Sequence, residues 1–306
     1  MSVILFILLA LLILLLISGG YTFFLACHRK KNVDWLSDEG FFGEYIRASH
    51  KWMQENKAQD IYIKNREGVC LHGFWIPAEK QPRGTVLMAH GYRSTMLLDF
   101  HLPFELFHRL GMNILVPEQR THGKSKGRFI TFGVKESKDM EDWLAYYYQK
   151  LGKWPVLLYG ISMGASTMLY LSDRRLAGDV RGIIADCGFT SPADIIGTVY
   201  KKVVHLPPKV SLWVAGIFSR LFAGFGLWEK DTRKTVERSR YPILFIHGQE
   251  DDFVPLEMTL QGYAACSSEK KLLVVPKATH GLSFLTDGYG YTKAVIDFLK
   301  DIEMYP

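Results

Sequence analysis

The pentapeptide Gly160-Ile161-Ser162-Met163-Gly164 sets one serine between two glycines with the spacing G-x-S-x-G. Alone the match says little, because a serine at a helix start is equally an N-cap. Its surroundings say more: the apolar run PVLLYG (155–160) leads into it and the helix-forming ASTMLYL follows. A serine on a tight strand–turn–helix has its Oγ exposed at a helix N-terminus, where the positive end of the helix dipole favours a developing anion. A serine hydroxyl needs a base, and the base needs an orienting acid. His280, in Ala278-Thr279-His280-Gly281, stands shortly after the apolar run KLLVVP (271–276). The acid is expected after the preceding run, PILFIH (242–247), where Glu250, Asp251 and Asp252 follow His247-Gly248-Gln249. The order Ser, Asp, His differs from that of the two common serine-protease architectures. Acyl transfer through a covalent serine intermediate is the chemistry these residue types would do together.

They can act together only if strands deliver them to one edge. The runs TVLMAH (85–90), NILVP (113–117), PVLLYG, GIIAD (182–186), PILFIH and KLLVVP are solid rather than alternating, as in strands buried on both faces of a parallel sheet. Helix-length segments at 95–110, 135–152, 163–176, 256–266 and 289–302 lie between and after them. Upstream, DIYIKN (60–65) and CLHGFWI (70–76) flank the turn Arg66-Glu67-Gly68 and predict an antiparallel hairpin. The expected fold is α/β: an eight-stranded, mostly parallel sheet with helices on both faces. One connection, between GIIAD and PILFIH, is too long for a simple crossover. It carries Pro207-Pro208 and the apolar positions Leu212, Trp213, Ile217, Phe218, Leu221 and Phe222. A short helical lid at about 192–238 is predicted in preference to an ordinary crossover helix with a decorated loop, with Trp213, Phe218 and Phe222 as candidate substrate contacts or, equally, plain packing residues.

The N-terminus has a different character. Residues 3–26 carry no charge, and as a helix they would span about 36 Å, enough to cross a hydrocarbon core of about 30 Å. The expected organisation is a transmembrane anchor and basic flank at 1–31, a juxtamembrane helix at 32–59 and the sheet domain at 60–306. The juxtamembrane stretch carries Trp35, Phe41, Phe42, Tyr45 and Trp52, read mainly as packing residues. A cleavable signal peptide would look similar, but no basic residue precedes the apolar run. His28-Arg29-Lys30-Lys31 follows it, so the positive-inside rule predicts a single-pass membrane protein with the sheet domain in the cytoplasm.

Of the net charge of +6 over 306 residues, Arg29, Lys30 and Lys31 supply half. The remainder is too scattered for a nucleic-acid footprint. Four cysteines (Cys27, Cys70, Cys187, Cys266) make neither a disulfide framework nor a zinc set, and suit unpaired thiols in a reducing compartment. No metal motif or phosphate loop is present in the sequence, so no metal or cofactor is expected.

The elbow, the acid loop and the histidine loop together resemble the α/β-hydrolase fold superfamily over about residues 60–304. Within it they are similar to membrane-anchored bacterial serine hydrolases related to the BEM46-like group. The resemblance implies an acid loop H-G-x-x-D-x-x-V-P, which falls on Asp251 in His247–Pro255 rather than on Asp252. It implies an oxyanion hole made by the backbone N–H groups of Tyr92, in His90-Gly91-Tyr92-Arg93-Ser94, and of Met163. Glu118-Gln119-Arg120-Thr121-His122-Gly123-Lys124-Ser125 resembles the superfamily turn D-x-R-x-H-G-x-S, with Glu118 where Asp is usual. Arg120, His122 and His90 are read as structural. A serine at the elbow argues against the Asp-nucleophile chemistry of dehalogenases and epoxide hydrolases on this fold.

The expected activity is hydrolysis of a small-molecule or lipid-like ester or thioester, with Ser162 as nucleophile, His280 as base and Asp251 orienting it. A serine peptidase on the same fold and a non-catalytic anchored binding protein are the alternatives.

Overall fold

The computed structural model describes residues 2–28, 40–205 and 207–306. The basic flank Arg29–Lys31 and Trp35 lie outside the described residues. Helix α1 (Ser2–Cys27) is the apolar segment, and α2 (Phe41–Glu55) follows. The chain then enters the hairpin β1 (Gln59–Lys64) and β2 (Cys70–Ile76). Asn65 builds its turn by accepting the N–H groups of Glu67 (3.0 Å) and Val69 (2.8 Å) on its side-chain oxygen.

From there strands and helices alternate. β3 (Gly84–Ala89), α3 (Met96–Asp99), α4 (His101–Arg109) and β4 (Met112–Pro117) come first. Next are α5 (Glu136–Tyr146), ending in a π turn, β5 (Val156–Ile161), α6 (Met163–Leu169) and β6 (Val180–Asp186). The long connection holds α7 (Pro192–Val204), α8 (Lys209–Phe218) and α9 (Thr232–Val236). The chain closes with β7 (Ile243–Gly248), α10 (Leu256–Ala265), β8 (Lys270–Val275), α11 (Ser283–Thr286) and α12 (Gly288–Asp301).

All eight predicted strands are present in one sheet, ordered β1-β2-β4-β3-β5-β6-β7-β8. β1–β2 and β2–β4 pair antiparallel, and every later pair is parallel. The solid apolar runs are explained by cover on both faces. One face packs Phe100, Phe104, Phe107, Val295 and Phe298; the other packs Trp143, Leu144, Met168 and Leu169. The helix predicted at 163–176 stops at Leu169. Ser172 turns its hydroxyl onto the Leu169 carbonyl (2.8 Å), and the Leu171 and Ser172 N–H groups bond only three residues back, a local competition that ends an α-helix.

A third apolar cluster belongs to neither face. It joins Phe23 and Cys27 of α1 to Phe129, Ile130, Phe132, Met163, Phe189, Ile195, Leu212 and Phe225. α1 is therefore two things. Val3–Ile17 is mostly exposed, whereas Gly19, Gly20, Thr22, Phe23 and Cys27 are buried against the sheet domain. α8 runs beside its second half in parallel register: Ser18 Oγ lies 2.8 Å from Ser211 Oγ, and Phe23 meets Phe218 and Phe222. The approach needs glycine, because a Cβ on Gly19 would lie 2.3 Å from the Val214 side chain. α1 is long and apolar enough to cross a membrane.

Candidate active site

The elbow is built by steric necessity. Ser162 adopts φ 55°, ψ −119°, a strained conformation for a residue with a Cβ. It is held there because its N–H donates to the Asp186 carbonyl (2.8 Å) and its own carbonyl accepts from Ser166 N–H. On either side, a Cβ at Gly160 would lie 2.3 Å from the Gly164 carbonyl, and one at Gly164 would lie 1.7 Å from Ala89 O. The two glycines of the motif let α6 start hard against β3 and β5.

Around this serine a hydrogen-bonded chain assembles from three strand ends. Ser162 Oγ, after β5, is 2.9 Å from His280 Nε2. His280, on the loop after β8, places Nδ1 2.7 Å from Asp251 Oδ2, on the loop after β7. The structure puts Asp251, and not Asp252, on the histidine; Asp252 lines a cavity wall instead. Burial would raise the Asp251 carboxyl. Hydrogen bonds from His247 and His280, with the Val254 N–H, outweigh it and hold the group well below the usual carboxylate range.

His247, unassigned in the sequence reading, is fully buried behind Asp251, with Nε2 3.3 Å from Oδ2. Asp186 is a second neighbour that sequence reasoning missed. It ends β6, accepts from Tyr291 Oη (3.0 Å), and is pushed up to about 6, chiefly by burial. Cys187, Asp251 and His280 bring ligand-type atoms within 4.8 Å of one another. Burial raises the Cys187 thiol, and the other two groups are spent on each other, so the trio does not offer a free set of metal ligands.

The loop after β3 faces the elbow. The Gly91 N–H is taken by Asp99 Oδ2 (2.6 Å) and the Arg93 N–H by His122 Nε2 (3.0 Å), with Tyr92 between them. His90 is buried with Nδ1 on Gly91 O and Nε2 on the Gln119 N–H, and burial lowers its pKa to about 3, so it is a neutral brace. Arg120 grips Asp139 through two 2.7 Å bonds, and Glu118 accepts from His72 (2.7 Å) and the Lys124 N–H. The carbonyl end of α1 reaches the same loop: Tyr92 Oη donates to Ala26 O (2.7 Å), and the Arg93 guanidinium donates to Leu25 O (2.6 Å) and His28 O (3.0 Å).

Eight strands in this order, a strained serine at the β5–α6 elbow, and a histidine and an aspartate from the last two strand ends form one architecture. The chain has the α/β-hydrolase fold. A family model described as serine aminopeptidase, S33, matches residues 80–229, which include the elbow and the β3 loop. The uncharacterized protein YqkD of Bacillus subtilis is 26% identical over 275 residues, covering 90% of this chain and 88% of that one. Protein bem46 of Schizosaccharomyces pombe is 26% identical over 246 residues, covering 79% and 76%. Among solved structures, an esterase of Pyrococcus furiosus superposes with a TM-score of 0.65 at 23% identity, over 81% of this chain and 93% of that one. That likeness speaks for the fold.

In this α/β-hydrolase fold two cavities open at Ser162. The first, of about 530 Å³, is roofed by Phe41, Phe42 and Tyr45 of α2 and also lined by Leu98, Asp252 and His280. The second, of about 540 Å³, lies between α1 and α7; Tyr21, Thr22 and Leu25 face Ile196, Val199 and Val203 across it. The expected lid needs correction here. α7 does wall the site, but Trp213, Phe218 and Phe222 line neither cavity. Phe218 and Phe222 pack on Phe23 of α1 and Trp213 is exposed, because α8 spends its apolar face on the N-terminal helix. Phe41, Phe42 and Tyr45 of α2 line the first cavity together with Tyr92, Phe253 and Phe284. From sequence the α2 aromatics read mainly as packing residues, and only the tertiary docking of α2 brings them to the cavity that holds Ser162.

Proposed function

We propose that the protein is a serine hydrolase that cleaves carboxylic esters or thioesters through an acyl-enzyme. The observation carrying this reading is the continuous chain Ser162 Oγ–His280 Nε2, His280 Nδ1–Asp251 Oδ2, at 2.9 and 2.7 Å. His280 removes the Ser162 proton as Oγ attacks the acyl carbonyl, and Asp251 holds the tautomer that leaves Nε2 able to accept. The tetrahedral oxyanion is stabilised by the N–H groups of Tyr92 and Met163. Met163 opens α6, where a first-turn N–H has no acceptor within the helix. When the C–O or C–S bond breaks, His280 returns the proton to the leaving group. Water, deprotonated by the same nitrogen, then releases the acid.

The sheet domain is anchored by α1 and lies on the side of the basic flank, the cytoplasmic side by the positive-inside rule. A serine peptidase is the second reading, favoured by the description of the family model that matches residues 80–229. A panel of peptide amides beside p-nitrophenyl esters separates the two.

The test is hydrolysis of p-nitrophenyl esters from acetate to palmitate by the full chain in lipid nanodiscs, beside Ser162→Ala. Ester turnover that falls in the variant by about 10⁵-fold or more, with fluorophosphonate labelling at Ser162, supports the reading. Neither turnover nor labelling in the unaltered chain rejects it.

A further inference from the structure

The cavity between α1 and α7 is unusual in one respect: a helix able to cross a bilayer forms one of its walls, and the nucleophile stands at its inner end. Its lining is mainly apolar, with Tyr21, Thr22 and Leu25 on one side and Ile195, Val199 and Val203 on the other, and its polar members include Ser18, Arg93 and Tyr200. Around its rim the protein exposes large apolar side chains that a water-facing surface would not gather. At the cavity itself Val203 is 67% exposed and Val204 41%; Trp213 and Leu221, exposed on the segment that packs along α1, and the stretch Val3–Ile17 of α1 extend the apolar surface beyond it. The parallel register of α8 on α1, from Ser18–Ser211 to Phe23–Phe222, puts this surface beside the membrane helix and not at its far end. The last turn of α7 carries Lys201 and Lys202 next to exposed Val203 and Val204, the composition of a helix end lying in an interface.

We propose that the acyl chain of a bilayer-resident ester occupies this cavity, entering from the hydrocarbon between α1 and α7. The ester carbonyl then lies at Ser162 and the leaving group in the cavity under α2. α1 is thereby a wall of the acyl site as well as an anchor. This rests on the reading of Ser162 as the nucleophile. Physical economy favours the route: each methylene drawn from lipid into water costs about fourfold in the transfer equilibrium, and a direct path from hydrocarbon into an apolar cavity avoids that. The site is also held in register with the chemistry, since the Tyr92 and Arg93 side chains are bonded to carbonyls in the last turn of α1.

The test uses the full chain in phosphatidylcholine nanodiscs, with p-nitrophenyl acetate and palmitate as probes and a short fluorophosphonate to count assembled Ser162. Val199→Trp and Tyr21→Trp narrow the cavity from opposite walls. The expected result is a palmitate-to-acetate rate ratio lowered by at least about tenfold in chains that still label; comparing ratios cancels partition of the probe into lipid. In a second measurement, Ser162→Ala is irradiated with a palmitate ester bearing a diazirine at the chain end. Crosslinks within Ser18–Leu25 or Val199–Val204 support the proposal and do not depend on how the tryptophan variants fold. Crosslinks at Phe41–Tyr45, or an unchanged ratio in labelled variants, overturn it while leaving the serine hydrolase intact. A full chain that neither labels nor hydrolyses any ester takes both readings down.

Discussion

At the scale of single residues, the acid was the hardest member to read, because Glu250, Asp251 and Asp252 are adjacent in sequence. The structure separates them: Asp251 is tied to His280, to His247 and to the Phe253 and Val254 N–H groups, while Asp252 lines the cavity under α2. Asp251→Asn is expected to lower ester turnover about 10⁴-fold, and Asp252→Asn by less than about tenfold, as measured by kcat/KM on one ester. Asp186 supplies a pH prediction. Its native pKa of about 6 lies above the ordinary value near 3.9. The native state therefore holds this proton more tightly than the unfolded chain does. Its stabilising contribution is full below about pH 4 and is lost as pH rises through 6, by up to about 3 kcal/mol. Asp186→Asn removes that loss, so its melting temperature relative to the unaltered chain should rise between pH 4 and pH 7. A difference that stays flat across that window would reject the assignment. Neither Asp186 nor His247 was legible as a site residue, since each simply closes an apolar strand and acquires meaning from the loops folded over it.

At the scale of elements, strands were read almost to their ends because solid apolar runs bounded by Gly and Pro leave little ambiguity when both faces are covered. The elbow was equally legible, and its glycines lead to a graded expectation. Gly164→Ala drives a Cβ into Ala89 O at 1.7 Å and should cost about 3 kcal/mol or more, read as a large drop in melting temperature with loss of fluorophosphonate labelling. At Gly68, φ is +76° but nothing lies within 4 Å of a built Cβ. Gly68→Ala should therefore cost only about 1 kcal/mol, from the left-handed conformation alone. In the long connection α7 lines a cavity at Ser162 and α8 does not. The apolar stripe at 212–222 is real, but a stripe does not name its partner, and α8 found α1 where substrate was one expectation. Phe23→Ala checks that partnership. Phe23 is 1% exposed although it lies within the apolar helix, and its truncation should destabilise by about 3–5 kcal/mol, whereas a helix that merely tethers would tolerate it.

At the scale of the whole molecule, the sequence suggested three parts in series: an anchor, a linking helix and a catalytic domain. The folded chain closes that series into one body. α1 and α2, both upstream of the first strand, supply one wall of each cavity at Ser162. Sequence patterning could not reveal this, because an all-apolar helix has no polar face to say which side is turned toward protein, and α2 hides its contribution in an ordinary amphipathic repeat. Retention of α1 is a further expectation. Phe23 and Cys27 are core residues, and Ala26 and His28 carbonyls hold Tyr92 and Arg93, so mass spectrometry of the membrane-extracted protein should find the N-terminal helix uncleaved.

The hydrogen bonds from Tyr92 and Arg93 to the last turn of α1 have a consequence for anyone exchanging parts between relatives. In a protein whose anchor is only a leash, one membrane helix is as good as another, and tails can be swapped as freely as purification tags. Here the last turn of the leash is bonded to the loop at 91–93, and Gly19 and Phe23 are fitted to α8, so a foreign helix would have to reproduce that fit before the loop beside Ser162 kept its place.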